Sequence, residues 1–283
     1  MSTDNWGGAA EVAHLESIAK RHTTLCGDGS LTWREWGSGP PLMLFHGGFG
    51  SWQHWSRNIP GLSEKFTVFA ADLPGLGDSD VAPEPHTSEG LSAILSDGLE
   101  QLLGRDTRFY LGAFSLGAVL CSPLIHKAGD RLIHGILIGP GGLGKYWTNA
   151  VENQRRRSST MSESELRDIV RSNLGHTMIG NREMIDEDTI TIQMGLLNQK
   201  RGLKGLPMSQ SPVLVNLLPS IHKRITIVWG ELDPYLVPDL PTAIADLQAG
   251  CPGLDARIID GVGHWANYEA APVVNEMFYQ LKN

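Results

Sequence analysis

The sequence predicts an α/β protein, a mainly parallel β-sheet flanked by helices and interrupted once by a helical insertion. Two patterns carry this reading. Short apolar, β-rich runs alternate with helix-sized segments along most of the chain, and the alternation breaks between about residues 143 and 216. Size agrees: 283 residues with 41% hydrophobic and 19% charged side chains suffice for one large core plus an insertion.

The elements follow in order. Residues 21–36 hold two strand candidates around a Gly27-Asp28-Gly29-Ser30 turn, predicting an antiparallel hairpin at the sheet edge. Continuous apolar runs at Leu42–Phe45, Phe66–Ala70, Arg108–Leu111, Leu132–Ile138, Ile225–Trp229 and Ala256–Ile259 read as strands buried on both faces. Helices are expected at Leu91–Leu103, Leu116–Lys127, Thr242–Ala249 and Ala271–Leu281. Gly139-Pro140-Gly141-Gly142-Leu143-Gly144 opens the insertion, and Ser211-Pro212 and Pro219 lie near its return. The expected division is a core of residues 1–142 and 217–283 with a helical unit at 143–216 between.

Composition excludes several functions. A net charge of −8 argues against nucleic-acid binding, and the basic run Arg155-Arg156-Arg157 reads as a solvated helix face. No stretch reaches the roughly 18 apolar residues of a membrane span, and the first residues lack a basic start and an apolar stretch, so a cytoplasmic protein is expected. Cys26, Cys121 and Cys251 lie far apart without a C-x-x-C pair, which predicts free thiols. No H-x-x-x-H or H-E-x-x-H arrangement suggests a metal site. The Gly139–Gly144 run formally matches G-x-G-x-x-G, but no helix start and no acidic strand end follow it, so neither a nucleotide nor any other cofactor is expected.

The chemistry gathers at loops that follow strands. Gly112-Ala113-Phe114-Ser115-Leu116-Gly117-Ala118 joins a strand to a helix through a sharp turn bearing Ser115, with small neighbours where the backbone is tight. A serine hydroxyl needs a base and a group that orients the base. Asp233 follows the strand ending at Trp229, and His264 follows the next one; Glu231 is the rival carboxylate. An oxyanion needs preplaced N–H donors, and His46-Gly47-Gly48-Phe49-Gly50 follows the first buried strand.

These motifs, in the order Ser, Asp, His, resemble the α/β-hydrolase fold family, whose nucleophile elbow is G-x-S-x-G; here Ala113 replaces the first glycine. Asp72–Ser79 resembles the family's D-x-P-G-x-G-x-S turn, and the insertion resembles its cap domain. The resemblance implies Ser115 as nucleophile, His264 as base and Asp233 as its orienter. It also implies an oxyanion hole from the N–H groups of Leu116 and Gly48, with Phe49 as the alternative second donor. His46 is expected to brace the oxyanion loop rather than transfer protons. Phe49, Trp52, Tyr146, Trp147 and Trp265 are candidates for an apolar pocket, each equally readable as core, as is Trp55. Lys200 and Arg201 could meet a substrate carboxylate, or could end a solvated helix.

The implied activity is a serine-dependent hydrolase acting on a small-molecule carboxylic ester or lactone (EC 3.1.1). A serine rather than an aspartate at the elbow argues against haloalkane dehalogenases and epoxide hydrolases of this fold. Gly263-His264-Trp265-Ala266 with Glu269 is similar to the C-terminal signature of hydrolases that split carbon–carbon bonds in ring-cleavage products (EC 3.7.1). That group carries a second glycine where this chain has Ala118, which leaves carbon–carbon hydrolysis as the alternative. A ligand receptor or an acyltransferase on the same fold is the alternative of another class, and a homodimer through an exposed face of the insertion stays open.

Overall fold

The computed structural model describes residues 8–148, 154–199, 202–203 and 206–281. Helix α1 (Ala9–Ile18) leads into β1 (Lys20–Cys26) and β2 (Gly29–Gly37), then β3 (Pro41–Phe45), α2 (Ile59–Leu62), β4 (Thr67–Ala71), α3 (Ser88–Leu103), β5 (Phe109–Phe114), α4 (Leu116–Ala128) and β6 (Leu132–Ile138). The insertion holds α5 (Glu163–Thr177) and α6 (Glu187–Asn198), and α7 (Val213–Ile221) leads back. β7 (Ile225–Gly230), α8 (Leu240–Gly250), β8 (Asp255–Ile259), α9 (Ala266–Glu269) and α10 (Ala271–Gln280) follow.

The eight strands form one sheet in the order β1-β2-β4-β3-β5-β6-β7-β8. β2 pairs antiparallel with both neighbours, and the pairs from β4 to β8 are parallel. The chain moves from β3 to β4 on one side and then returns to β5 on the other. A topological switch therefore lies between β3 and β5, and it opens a crevice at their C-terminal ends.

Period-two alternation sorts the strand side chains into two apolar layers. Met43 and Phe45 of β3 join the layer holding Leu95 of α3, Val119 of α4, Leu218 of α7 and Leu247 of α8. Leu42 and Leu44 join the opposite layer with Leu15 of α1 and Phe278 of α10, and this layer also takes in Leu174 of α5 and Ile190 of α6. The helices of the insertion are thus packed into the main apolar body. Their starts are specified locally: Ser162 and Glu165 form a reciprocal capping box on α5, and the Asp186 carboxylate accepts from the Thr189 N–H on α6.

Two expectations change. β8 is not buried on both faces: all five of its residues are half-buried or exposed, because an edge strand has one neighbour and a less covered surface. Arg155–Arg157 lie exposed in a non-helical segment rather than on a helix face, and the Arg155 N–H donates to Asn173 Oδ1. Helix α7 packs with α4 through Leu214 and Leu218.

A buried ion pair anchors the hairpin side of the sheet. Arg34 Nη1 lies 2.9 Å from Asp72 Oδ2, and both side chains are almost fully buried. Arg34 also meets Glu16 and Asp78, while Asp72 accepts from the backbone N–H groups of Trp52 and Asp78. Asp72→Ala removes the buried carboxylate opposite Arg34 Nη1 and leaves the Trp52 and Asp78 N–H groups without their acceptor, so it should destabilise the fold by about 3–5 kcal/mol, measured as a lowered urea midpoint. Cys26, Cys121 and Cys251 are all buried and unpaired, and burial pushes the Cys121 thiol well up. Ellman's reagent should therefore find no reactive thiol in the native protein and three in denaturant.

Candidate active site

The crevice is built around the turn from β5 to α4. Ser115 takes φ 52° and ψ −114°, a conformation costly for any side chain. Bonds on both sides hold it there: its N–H donates to the Ile138 carbonyl, and its own carbonyl accepts from Ala118 and Gly141. Gly117 must be glycine, because a β-carbon there would stand 2.7 Å from the His46 carbonyl oxygen and 2.8 Å from that of Phe45. Ala113, inside β5, is fully buried between β3 and β6, and its methyl group is accommodated.

Ser115 Oγ lies 3.0 Å from His264 Nε2, and His264 Nδ1 lies 2.7 Å from Asp233 Oδ2. With Asp233 an acceptor, the ring donates from Nδ1 and leaves Nε2 to accept the serine proton. Asp233 Oδ1 accepts from the Tyr235 N–H, so both carboxylate oxygens are engaged in a site that water barely reaches. The rival carboxylate is directed elsewhere: Glu231 Oε2 accepts from the Gly261 N–H. The loops bearing Asp233 and His264 run side by side, joined by the Leu232 N–H and the Val262 carbonyl.

The loop after β3 faces the elbow. A β-carbon on Gly48 would meet the Leu116 side chain at 3.7 Å, so the two expected oxyanion donors belong to neighbouring residues. Leu116 begins α4, where the first N–H groups have no partner within the helix and sit at its positive end. Phe49 also adopts positive φ, 58°, and is partly exposed. Two buried histidines brace this loop. His46 Nδ1 donates to the Gly47 carbonyl and its Nε2 accepts from the Leu73 N–H. His54 Nδ1 accepts from the Gly47 N–H, and the His54 carbonyl accepts from Trp265 Nε1 and Asn267 Nδ2.

The aromatic candidates separate. Trp147 lies at the site: it stacks on Tyr235 at 4.8 Å, and the rings of Tyr235, Phe114 and Trp147 stand 4.4, 5.0 and 5.9 Å from the His264 ring. Trp52 is instead core, packed on Trp36 and beneath the Arg34 guanidinium, and Trp55 is core as well, its Nε1 donating to the Phe45 carbonyl. Trp265 is fully buried and stacked on Tyr268, supporting the loop from behind. Tyr146 turns toward α8, its hydroxyl donating to Asp246 Oδ2. Lys200 and Arg201 lie outside the described residues.

Three contributors escaped sequence reasoning. Gly139 follows β6 at φ 47°, and a β-carbon there would stand 2.8 Å from His264 Nδ1 and 3.1 Å from Asp233 Oδ2. The Gly139–Gly144 run thus fits a close approach rather than a phosphate, and a glycine just after a buried strand was the available signal. Tyr235 is buried, and burial together with the Asp233 charge pushes its phenol well up, keeping it neutral. His54 carried no signal, because its tie to Gly47 depends on a contact between loops.

The alpha/beta hydrolase family profile matches residues 42–276. A 2-hydroxy-6-oxo-6-phenylhexa-2,4-dienoate hydrolase of Burkholderia cepacia is 24% identical over 284 residues, covering 93% of this chain and 96% of that protein. The dihydrolipoyllysine-residue acetyltransferase component of the acetoin cleaving system of Cupriavidus necator is 26% identical over 253 residues; the match covers 86% of this chain but only 64% of that longer protein. The crystal structure of a carboxylesterase from Bacillus subtilis superposes with a TM-score of 0.73 at 19% identity, covering 96% of this chain and 94% of that one. The strand order, the crevice at the switch point and the profile match over most of the chain agree, and the chain belongs to the alpha/beta hydrolase family.

Proposed function

We propose that the protein is a serine hydrolase that cleaves a small carboxylic ester or lactone through an acyl-enzyme. The observation that carries this reading is the continuous relay from Ser115 Oγ through His264 to Asp233, at 3.0 and 2.7 Å. In this mechanism Ser115 attacks the carbonyl carbon while His264 Nε2 takes its proton. Asp233 holds the ring and offsets its positive charge. The N–H groups of Leu116 and Gly48 receive the oxyanion, with Phe49 the alternative to Gly48. His264 then protonates the leaving oxygen, and a water, activated by the same nitrogen, releases the acid.

The aromatic rings of Phe114, Trp147 and Tyr235 around His264 favour a compact apolar group beside the scissile bond. Arg167 and Arg171 of the insertion are paired with Glu187. Carbon–carbon hydrolysis of a dienoate is the second reading, favoured by the similarity over nearly the whole chain to the Burkholderia cepacia hydrolase.

Side-by-side turnover of p-nitrophenyl esters of short to medium chain and of a chromogenic ring-cleavage dienoate tests the choice. Ester turnover with an inert dienoate supports the first reading, and the reverse outcome moves the protein to the second. On the preferred substrate Ser115→Ala should abolish turnover, and Asp233→Asn should lower kcat by about 10⁴-fold while leaving the fold intact by circular dichroism. Gly139→Ala should lower kcat at least tenfold with a smaller effect on KM, because its β-carbon displaces the imidazole and carboxylate rather than the substrate.

A further inference from the structure

Glu269 ends α9, five residues beyond the proposed base, and its carboxylate collects three backbone N–H donors from two separate segments. Oε2 accepts from Gly263 at 2.7 Å and from Gly180 at 3.0 Å, and Oε1 accepts from Asn181 at 2.9 Å. Gly263 immediately precedes His264. Gly180 and Asn181 belong to the turn that follows α5 in the insertion. On the other side of His264, the Trp265 N–H donates to the Met178 carbonyl of the same turn at 2.7 Å. Both chain neighbours of His264 are therefore bonded into one junction between the insertion and the base loop.

The junction leaves no room for slack. A β-carbon on Gly263 would stand 2.5 Å from the Gly180 nitrogen, and one on Gly180 would stand 2.8 Å from the Gly263 nitrogen. The Asp233 loop is tied in as well, because the Leu232 N–H donates to the Val262 carbonyl beside Gly263. A carboxylate suits the centre of such a junction because it presents only acceptors, whereas an amide would set a donor against at least one N–H.

We propose that Glu269 is a positioning residue that acts through Gly263 on His264, so that docking of the turn at residues 178–181 and alignment of the base are one event. This rests on the serine-hydrolase reading. The insertion then does more than cover the crevice: its α5 turn is part of the scaffold that sets the distance from His264 Nε2 to Ser115 Oγ.

The test uses Glu269→Gln, nearly isosteric but carrying a donor, and Gly180→Ala, which perturbs the same junction from the insertion side. Both are compared with wild type in kcat and KM on the preferred ester and in the rate of fluorophosphonate labelling of Ser115. The downfield proton NMR signal of the His264 Nδ1–H and amide exchange at residues 180, 181 and 263 complete the comparison. Glu269→Gln should lower kcat and the labelling rate together by about 10- to 100-fold with KM within threefold, since a small displacement of a reacting group costs rates of that order. It should also shift or broaden the imidazole signal and speed amide exchange on both sides of the junction. A folded Glu269→Gln with kcat and labelling within threefold of wild type overturns the proposal. If Glu269→Gln does not fold, Gly180→Ala decides by the same criteria. If wild-type Ser115 takes no label, the serine-hydrolase reading fails, and the imidazole signal with amide exchange alone decides whether Glu269 sets the position of His264.

Discussion

The turn at Ser115 imposes a demand that much of the surrounding structure meets. A serine held at positive φ stores about 1–3 kcal/mol, and it persists only where its neighbours over-determine it. Here the determinants come from three directions. The end of β6 accepts its N–H, Gly141 in the segment beyond β6 donates to its carbonyl, and α4 begins at the next residue. The loop after β3 presses on α4 so closely that only glycine fits at residue 117. The sheet supplies the rigidity for this: β5 is flanked by parallel neighbours and every residue in it is buried.

The same crevice shows how one side-chain type serves different ends. His46, His54 and His264 are all buried within the same region, yet their partners differ. His46 is closed by two backbone groups, and His54 accepts from Gly47 while its carbonyl receives Trp265 and Asn267. Only His264 stands between a carboxylate and a hydroxyl. A ring with both nitrogens satisfied by the backbone has no acceptor left for a proton in transit, so it stiffens a loop. His54 also links the loop after β3 to the segment behind His264, which ties together two sides of the crevice distant in sequence.

The helices of the insertion are continuous with one of the two apolar layers of the sheet, and polar contacts at their ends reach the loops of the site. Tyr268, the residue before Glu269 on α9, hydrogen-bonds Thr189 of α6 while stacking on Trp265. The surface carrying the proposed base is therefore shared between the sheet and the insertion. Edge strand β8 contributes little to this packing; its role is to deliver the loop that carries His264.

Alternation of apolar runs and helical segments was enough to determine the α/β class, the positions of the strands within a residue or a few, and the hairpin at one edge, because these follow from local periodicity and turn chemistry. That Ser115, Asp233 and His264 would be brought near one another was legible for a related reason: each sits on a short motif that follows a strand, and a parallel sheet gathers such loops at one edge. Tertiary structure alone shows that Asp233 and not Glu231 lies against the imidazole, since both leave the same strand and only the direction of the loop brings one there. It alone sent Trp52 and Trp265 into the core while leaving Trp147 at the site, because an aromatic residue looks the same in sequence whichever face it packs against. The contacts of Gly139, His54 and Glu269 also emerged only there, as each involves residues remote along the chain, and local sequence carries no record of what a fold brings near.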